Sequence, residues 1–227
     1  MRIGVFGSGV VGQTISAKLA ELGHDVMLGT RDVATLLART EVGMGQSEPF
    51  SAWSAAHPAI RLGAFAEAAA HGETLFNATS GTVSLAVLEQ AGAANLDGKV
   101  LVDISNPLDF SQGMPPTLAV VNTDSVGEQL QRVFPNLKVV KSLNTVTASL
   151  MVNPRLVADG DHTMFVCGND AAAKAQVTEI LTAWLGWRDV VDLGDISSAR
   201  GMEMYLPLWL RLWGASGTPM FNVKIVR

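Results

Sequence analysis

Apolar positions along this chain follow two rhythms that keep replacing one another. Ile3, Val5 and Phe6 form a short apolar run, which predicts a buried strand. Ile15, Leu19 and Leu22 then recur at helical spacing, with Ala17 between them, and Gly23 supplies the stop. Asp25-Val26-Met27-Leu28 predicts a second strand. Beyond it the pattern predicts a short helix over 33–39, a polar loop over 41–49, and a helix over 50–56 ended by His57-Pro58. Ile60 and Leu62 mark a strand, 65–70 a helix, 74–78 a strand, 84–91 a helix and 100–104 a strand. A Gly/Pro-containing loop covers 110–116. A helix over 126–133 and strands over 138–142 and 163–167 follow, then a helix from 171 to about Trp184, a strand over 189–192 and a final helix over 197–213. Strands alternating with helices predict an α/β chain built on a doubly wound, mainly parallel sheet. Residues 1–143 would form the main domain and 144–227 a smaller one packed on it.

The first strand and first helix are joined by Gly7-Ser8-Gly9-Val10-Val11-Gly12. A GxGxxG segment between a strand and a helix is a dinucleotide-binding signal, and it makes the fold Rossmann-like. Gly7 allows the tight turn, Gly9 lets the backbone approach a pyrophosphate, and Gly12 lets helix and strand pack closely. The free N–H groups at the helix start would hold the phosphates. The second strand ends in Gly29-Thr30-Arg31-Asp32. A carboxylate at 29 or 30 would favour a ribose 2′-hydroxyl, and neither position has one. Thr30 can donate a hydrogen bond, and Arg31 offers a permanently charged fork suited to a 2′-phosphate. Asp32 is better placed to cap the helix beginning at Val33. The expected cofactor is therefore NADP(H).

Composition narrows the picture. The 227 residues carry a net charge of −5, 48% are apolar, and no Lys/Arg cluster occurs, which argues against a nucleic-acid partner. Cys167 is the single cysteine, so no disulfide framework or multi-cysteine zinc site is expected, and its apolar neighbours predict a buried strand thiol. The chain enters a strand directly, without a basic leader, and its best apolar run, Met202 to Trp213, is short and contains Pro207 and Arg211. A cytoplasmic protein without membrane spans is the expectation.

Two loops follow predicted strands on the side where such sheets bind ligands. Asn77-Ala78-Thr79 and Asn106-Pro107 would contact the second ribose and the nicotinamide amide, although Asn also favours turns on its own account. Asn144-Thr145 ends a further strand facing the same cleft. The four histidines (His24, His57, His71, His162) are scattered without ligand spacing and are expected on the surface or in loops. Lys141 is a candidate proton donor by position alone, so the catalytic residue is unknown. A hydride acceptor that needs little proton help, such as a flavin-like ring, fits that lack. In the final helix Met202, Leu206, Trp209 and Trp213 lie on one stripe and Tyr205, Leu208 and Leu212 on another. This is core, a dimer seam or the wall of a pocket.

The glycine loop, Gly29-Thr30-Arg31, the segments 141–146 and 164–170, and Asp195-Ile196-Ser197-Ser198-Ala199-Arg200 together resemble the NADPH-dependent reductases of the deazaflavin coenzyme F420. The resemblance covers nearly the whole chain, and the cytosolic domains of the STEAP metalloreductases look similar too. It implies a Rossmann-like domain with a small C-terminal domain, a homodimer, and hydride exchange between nicotinamide and a deazaflavin in the cleft between them. It sets the final helix opposite the nicotinamide, with Met204, Leu208 and Trp209 as candidates for the ring wall. The chain departs from the family at Trp209 and Trp213, which crowd that segment, and in a longer insert from Glu41 to Pro58. A non-catalytic NADP(H)-binding redox sensor acting through a protein partner is the alternative function.

Overall fold

The computed structural model describes residues 1–43 and 45–226, so Met44 of the predicted 41–49 loop lies outside the described residues. Strand β1 (Arg2–Phe6) is buried at Ile3, Val5 and Phe6. Each such side chain removed from water contributes about 1.5–3 kcal/mol. Helix α1 (Val10–Glu21) turns Ile15 and Leu19 onto the sheet, with Gly12 and Ser16 also buried. It stops where Gly23, at φ 84°, lets its own N–H bond to Ala20 and the His24 N–H bond to Leu19. This Schellman closure satisfies carbonyls that would otherwise lack partners.

The chain continues through β2 (Asp25–Thr30), α2 (Val33–Leu37), α3 (Phe50–Ala56), β3 (Arg61–Ala64), α4 (Phe65–His71), β4 (Thr74–Asn77) and α5 (Gly81–Ala91). It then forms α6 (Ala93–Leu96), β5 (Val100–Asp103), the two-stranded ribbon β6 (Leu108–Asp109) and β7 (Thr117–Leu118), α7 (Val126–Val133) and β8 (Lys138–Ser142). After these come α8 (Ala148–Val152), β9 (Thr163–Gly168), α9 (Ala171–Glu179), β10 (Asp189–Asp192), α10 (Ala199–Met204) and α11 (Leu206–Ser216). The eight long strands make one sheet in the order β10-β9-β8-β5-β4-β1-β2-β3. All neighbours run parallel except β8 and β9. Apolar clusters fill both faces. Strands from beyond residue 143 continue the sheet, so the division at 143/144 stays a proposal about folding units, with no break in the sheet there.

Two expected helices differ from the pattern. The helix after β9 is α-helical only to Glu179 and closes with a π-turn over Ile180–Trp184, where the Leu185 N–H reaches back to Ile180. The helix expected over 197–213 is a 3₁₀ turn (Ile196–Ser198), α10 and α11, interrupted at Tyr205. Pro207 has no N–H for the Glu203 carbonyl and breaks the ladder there. α6, α8 and the β6–β7 ribbon were not anticipated, being short and lacking periodicity.

Candidate functional site

The glycine loop divides its work as the spacing predicts. Gly7 has φ 107°, its N–H bonds to Gly29 O at 3.0 Å, and a Cβ there would lie 2.7 Å from the Ala78 carbonyl oxygen. A Cβ on Gly12 would meet Gly7 O at 1.9 Å, so only glycine lets α1 cross the loop. A Cβ on Gly9 would meet nothing within 4 Å. That open space faces a helix start with no side-chain cap and no acidic residue in its first turn. An anion there would meet unpaired N–H groups and the positive end of the helix dipole. Two glutamines fix the loop from behind: Gln13 Nε2 donates to Ser8 O at 2.9 Å and Gln46 Nε2 to the same oxygen at 3.3 Å. Gln46 belongs to the 41–58 insert, which is anchored by the buried Phe50 and Trp53. Sequence reasoning missed both glutamines; the insert has no periodicity that would point to residue 46. A cleft of about 770 Å³ runs from Val10 along α1, between Gln13, Lys18, Gln46 and the stacked Trp53 and His57.

At the end of β2, Thr30 is buried, while Arg31 is exposed and makes no hydrogen bond or ion pair among the described residues. Asp32 is committed: its carboxylate accepts the Thr35 N–H at 2.5 Å, capping α2, and that bond holds its pKa below the usual carboxylate value. A free guanidinium beside a carboxylate already in use is a donor set that fits a 2′-phosphate.

The loops after β4, β5 and β8 are joined through buried side chains. Asn77 is fully buried, and its amide is spent internally: Nδ2 donates to Ser84 Oγ at 3.0 Å and to Asp103 Oδ1 at 2.8 Å, and Oδ1 accepts the Thr79 hydroxyl at 2.6 Å. The structure therefore gives Asn77 a supporting place beneath Ala78 and Thr79. Lys141 is also fully buried. Its three N–H donors go to Asp103 Oδ2 at 2.8 Å, Glu203 Oε1 at 2.8 Å and Ser105 O at 2.5 Å. Burial alone would lower its pKa, but the carboxylates of Asp103 and Glu203 outweigh that and raise it. Lys141 thus has no proton to offer a substrate, which corrects its candidacy as a donor. Glu203 also accepts the N–H groups of Val126 and Gly127 at 2.9 and 3.2 Å, so the network's second carboxylate rests on the positive end of α7.

Beside this network, Asn106 Nδ2 donates to Asn144 O and Asn144 Nδ2 to Asn106 Oδ1, each at 2.9 Å, while Asn144 Nδ2 also reaches Met202 O at 3.1 Å. Pro107 anchors the ribbon through Ala119 N–H at 2.8 Å. Thr145 is buried next to Asn144, and neither Thr145 Oγ1 nor Asn144 Oδ1 has a partner among the described residues.

The expected ring wall is dispersed. Trp209 is buried between Trp213 and Phe221, 5.4 and 5.5 Å away. Met204 is exposed, its sulfur accepting the Asn122 N–H, and Leu208 is 57% exposed. A hollow of about 610 Å³ on α11 is lined by Leu210, Arg211 and Trp213 with Met114 and Pro115, and by none of the three predicted residues. Arg200 turns away to a bidentate pair with Glu128 on α7. His162 lies in a loop as expected but is buried, bonded to Pro154 O and Asn222. Cys167 is a buried strand thiol whose pKa burial pushes up to about 12. Among the described residues no group of His, Cys, Asp and Glu could hold a metal, and no helix is long and apolar enough to cross a membrane.

Residues 2–107 match the family model described as NADP oxidoreductase, coenzyme F420-dependent. A solved structure of a candidate F420-dependent NADP-reductase from Arthrobacter sp. FB24 is 59% identical, with all of both chains aligned and a TM-score of 0.95. The chain belongs to the F420-dependent NADP oxidoreductase family. Members of that family are NADP-dependent oxidoreductases, and so is this chain, on the Rossmann-like fold described above. It is also 28% identical to the rat metalloreductase STEAP3 over 92% of its own length and 38% of the relative's. To human metalloreductase STEAP2 it is 36% identical over 52% of its length and 21% of the relative's. The chain thus spans well under half of the curated relatives it matches.

Proposed function

We propose that this NADP oxidoreductase exchanges hydride between the nicotinamide and a flat ring, a deazaflavin such as coenzyme F420 or a flavin, at the carboxyl ends of β4, β5 and β8. The observation that carries the reading is the pairing of an open anion cradle at Gly9 with the unengaged Arg31, one strand apart. Gly7 to Gly12 bind the pyrophosphate through backbone N–H groups, with Ser8, Val10 and Val11 giving the loop its shape. Thr30 and Arg31 take the 2′-phosphate. Ala78, Thr79, Asn106 and Pro107 form the floor under the nicotinamide, and Asn77 holds that floor in place. Bound NADPH supplies the hydride. The chain's residues orient it and exclude water, because reactive carbons must meet in a dry, aligned contact. With Lys141 locked in its ion pairs, an acceptor that needs little proton help fits best. Asn144 and Thr145 lie on the acceptor side in this reading, while Met204, Leu208 and Trp209, dispersed over α10 and α11, form no joint wall to it.

A second reading has its own observation. Met204, Leu208, Leu212 and Trp213 leave an apolar face of α10 and α11 exposed, joined by Met114. Such a face fits a second copy of the chain in a homodimer, or a protein partner of a non-catalytic redox sensor. Anaerobic oxidation of NADPH against coenzyme F420, FMN, FAD, quinones and ferric chelates separates the readings; the last arm covers the acceptor class that the metalloreductase names suggest. Turnover with a ring acceptor is expected. Tight NADPH binding with no turnover in any arm would replace the enzyme reading by the sensor.

A further inference from the structure

We propose that Asn144 is a positioning residue: it clasps the loop after β5 to α10, so that the floor under the nicotinamide and the acceptor-side helix hold one fixed geometry. The proposal rests on the reading in which NADP(H) lies across these strand ends. A continuous line of hydrogen bonds supports it. The Gly81 N–H at the start of α5 bonds to Asn106 O at 2.9 Å, Asn106 and Asn144 exchange two bonds, and Asn144 passes its second amide hydrogen to Met202 on α10. Gly81 has no room for a Cβ, which would sit 2.6 Å from the Asn106 carbonyl, so the first link is close-packed as well as bonded. The next residue on α10, Glu203, grips Lys141 of the same strand β8, so consecutive helix residues are tied to one strand end. Buried amide pairs of this kind are strengthened by the low dielectric around them.

Two further details point to position over stability. Leu143, directly before Asn144, is completely buried and sits at φ 64°, a conformation bulky side chains rarely adopt. Such outliers persist where the surrounding structure enforces them, and they cluster at functional sites. Asn144 also keeps a buried carbonyl oxygen without a partner among the described residues, an arrangement that stability alone disfavours. The left-handed step at Leu143 ends β8 and delivers the amide to Asn106 and Met202.

The test is binding, using NADPH and 2′-phospho-ADP-ribose, which lacks the nicotinamide, against Asn144→Ala, Asn106→Ala and the double variant. Each single change should weaken NADPH about tenfold and leave the nicotinamide-free ligand within about twofold. The double variant should lose no more than either single, because the pair acts as a unit. Asn144→Ser, whose single short hydroxyl cannot serve both Asn106 and Met202, carries the same expectation if the alanine variant does not fold. Equal weakening of both ligands, unchanged NADPH affinity or fully additive losses would each overturn the proposal. Wild-type protein that binds the two ligands equally removes the nicotinamide contact and overturns this proposal alone. Wild-type protein that binds neither overturns the proposed function with it.

Discussion

The glycine-loop end and the α10–α11 end of the molecule are built on different terms. At the first, the geometry is a property of the backbone: three glycines in six residues make a turn, an opening and a close packing, each fixed by its immediate neighbours. At the second, it is a property of side chains that meet across long stretches of sequence. Lys141 finds Asp103 and Glu203, and Asn144 finds Asn106 and Met202. A site encoded locally should fail one residue at a time and selectively. A site encoded by convergence should fail as a whole, through the fold.

The largest effect should come from Lys141→Met, which leaves two buried carboxylates facing each other. Removing one member of a buried ionic group costs about 3–5 kcal/mol, so chemical denaturation should show a large loss of stability. A variant that stays near wild type would show that the network contributes little. Next comes a contrast inside the glycine loop. Gly12→Ala drives a methyl group against Gly7 O and should cost about 3 kcal/mol of stability. Gly9→Ala should fold with an unchanged circular dichroism spectrum yet bind NADPH poorly, because its methyl would stand in the open cradle. If the two behave alike, the division of labour in the loop is wrong.

Arg31→Ala should weaken NADPH by about 1.5–3 kcal/mol, roughly ten- to hundredfold, and leave NADH nearly unchanged. Titrating both cofactors decides it, and equal losses would remove the 2′-phosphate assignment. The smallest effect concerns Glu128, whose carboxyl is held below its ordinary value of 4.5 first of all by the hydrogen bonds of Arg200. Because the folded value is depressed, this contribution is complete above the ordinary value and is lost as pH falls through the folded one. Glu128→Gln should therefore lower the melting temperature slightly at neutral pH, by roughly 2 °C, and flatten its decline on acidification. Parallel wild-type and variant curves would show that the pair is silent.

The same contrast explains what could be read from the chain. The sheet, most of its helices and the glycine loop were legible because each is announced by local periodicity or by spacing within a few residues. The cap at Asp32 was legible for the same reason. The engagement of Lys141 was not legible, because a lysine on a strand carries no mark of the carboxylate 62 residues away that binds it. Asn77 was singled out at the end of β4, but nothing in its neighbours revealed that Ser84 and Asp103 occupy its amide. Stripe positions on α11 predicted apolar faces correctly without indicating which of them the chain itself would cover. Trp209 is covered and Leu208 is not.

The single antiparallel pairing, β8 against β9, gives the sheet two polarities. The loops that follow β9 and β10, around Asn169 and Leu193, consequently open on the rim opposite the glycine loop. Growth in those loops stays remote from the rim that carries the glycine loop. Added length on the far rim would therefore leave the glycine-loop rim undisturbed.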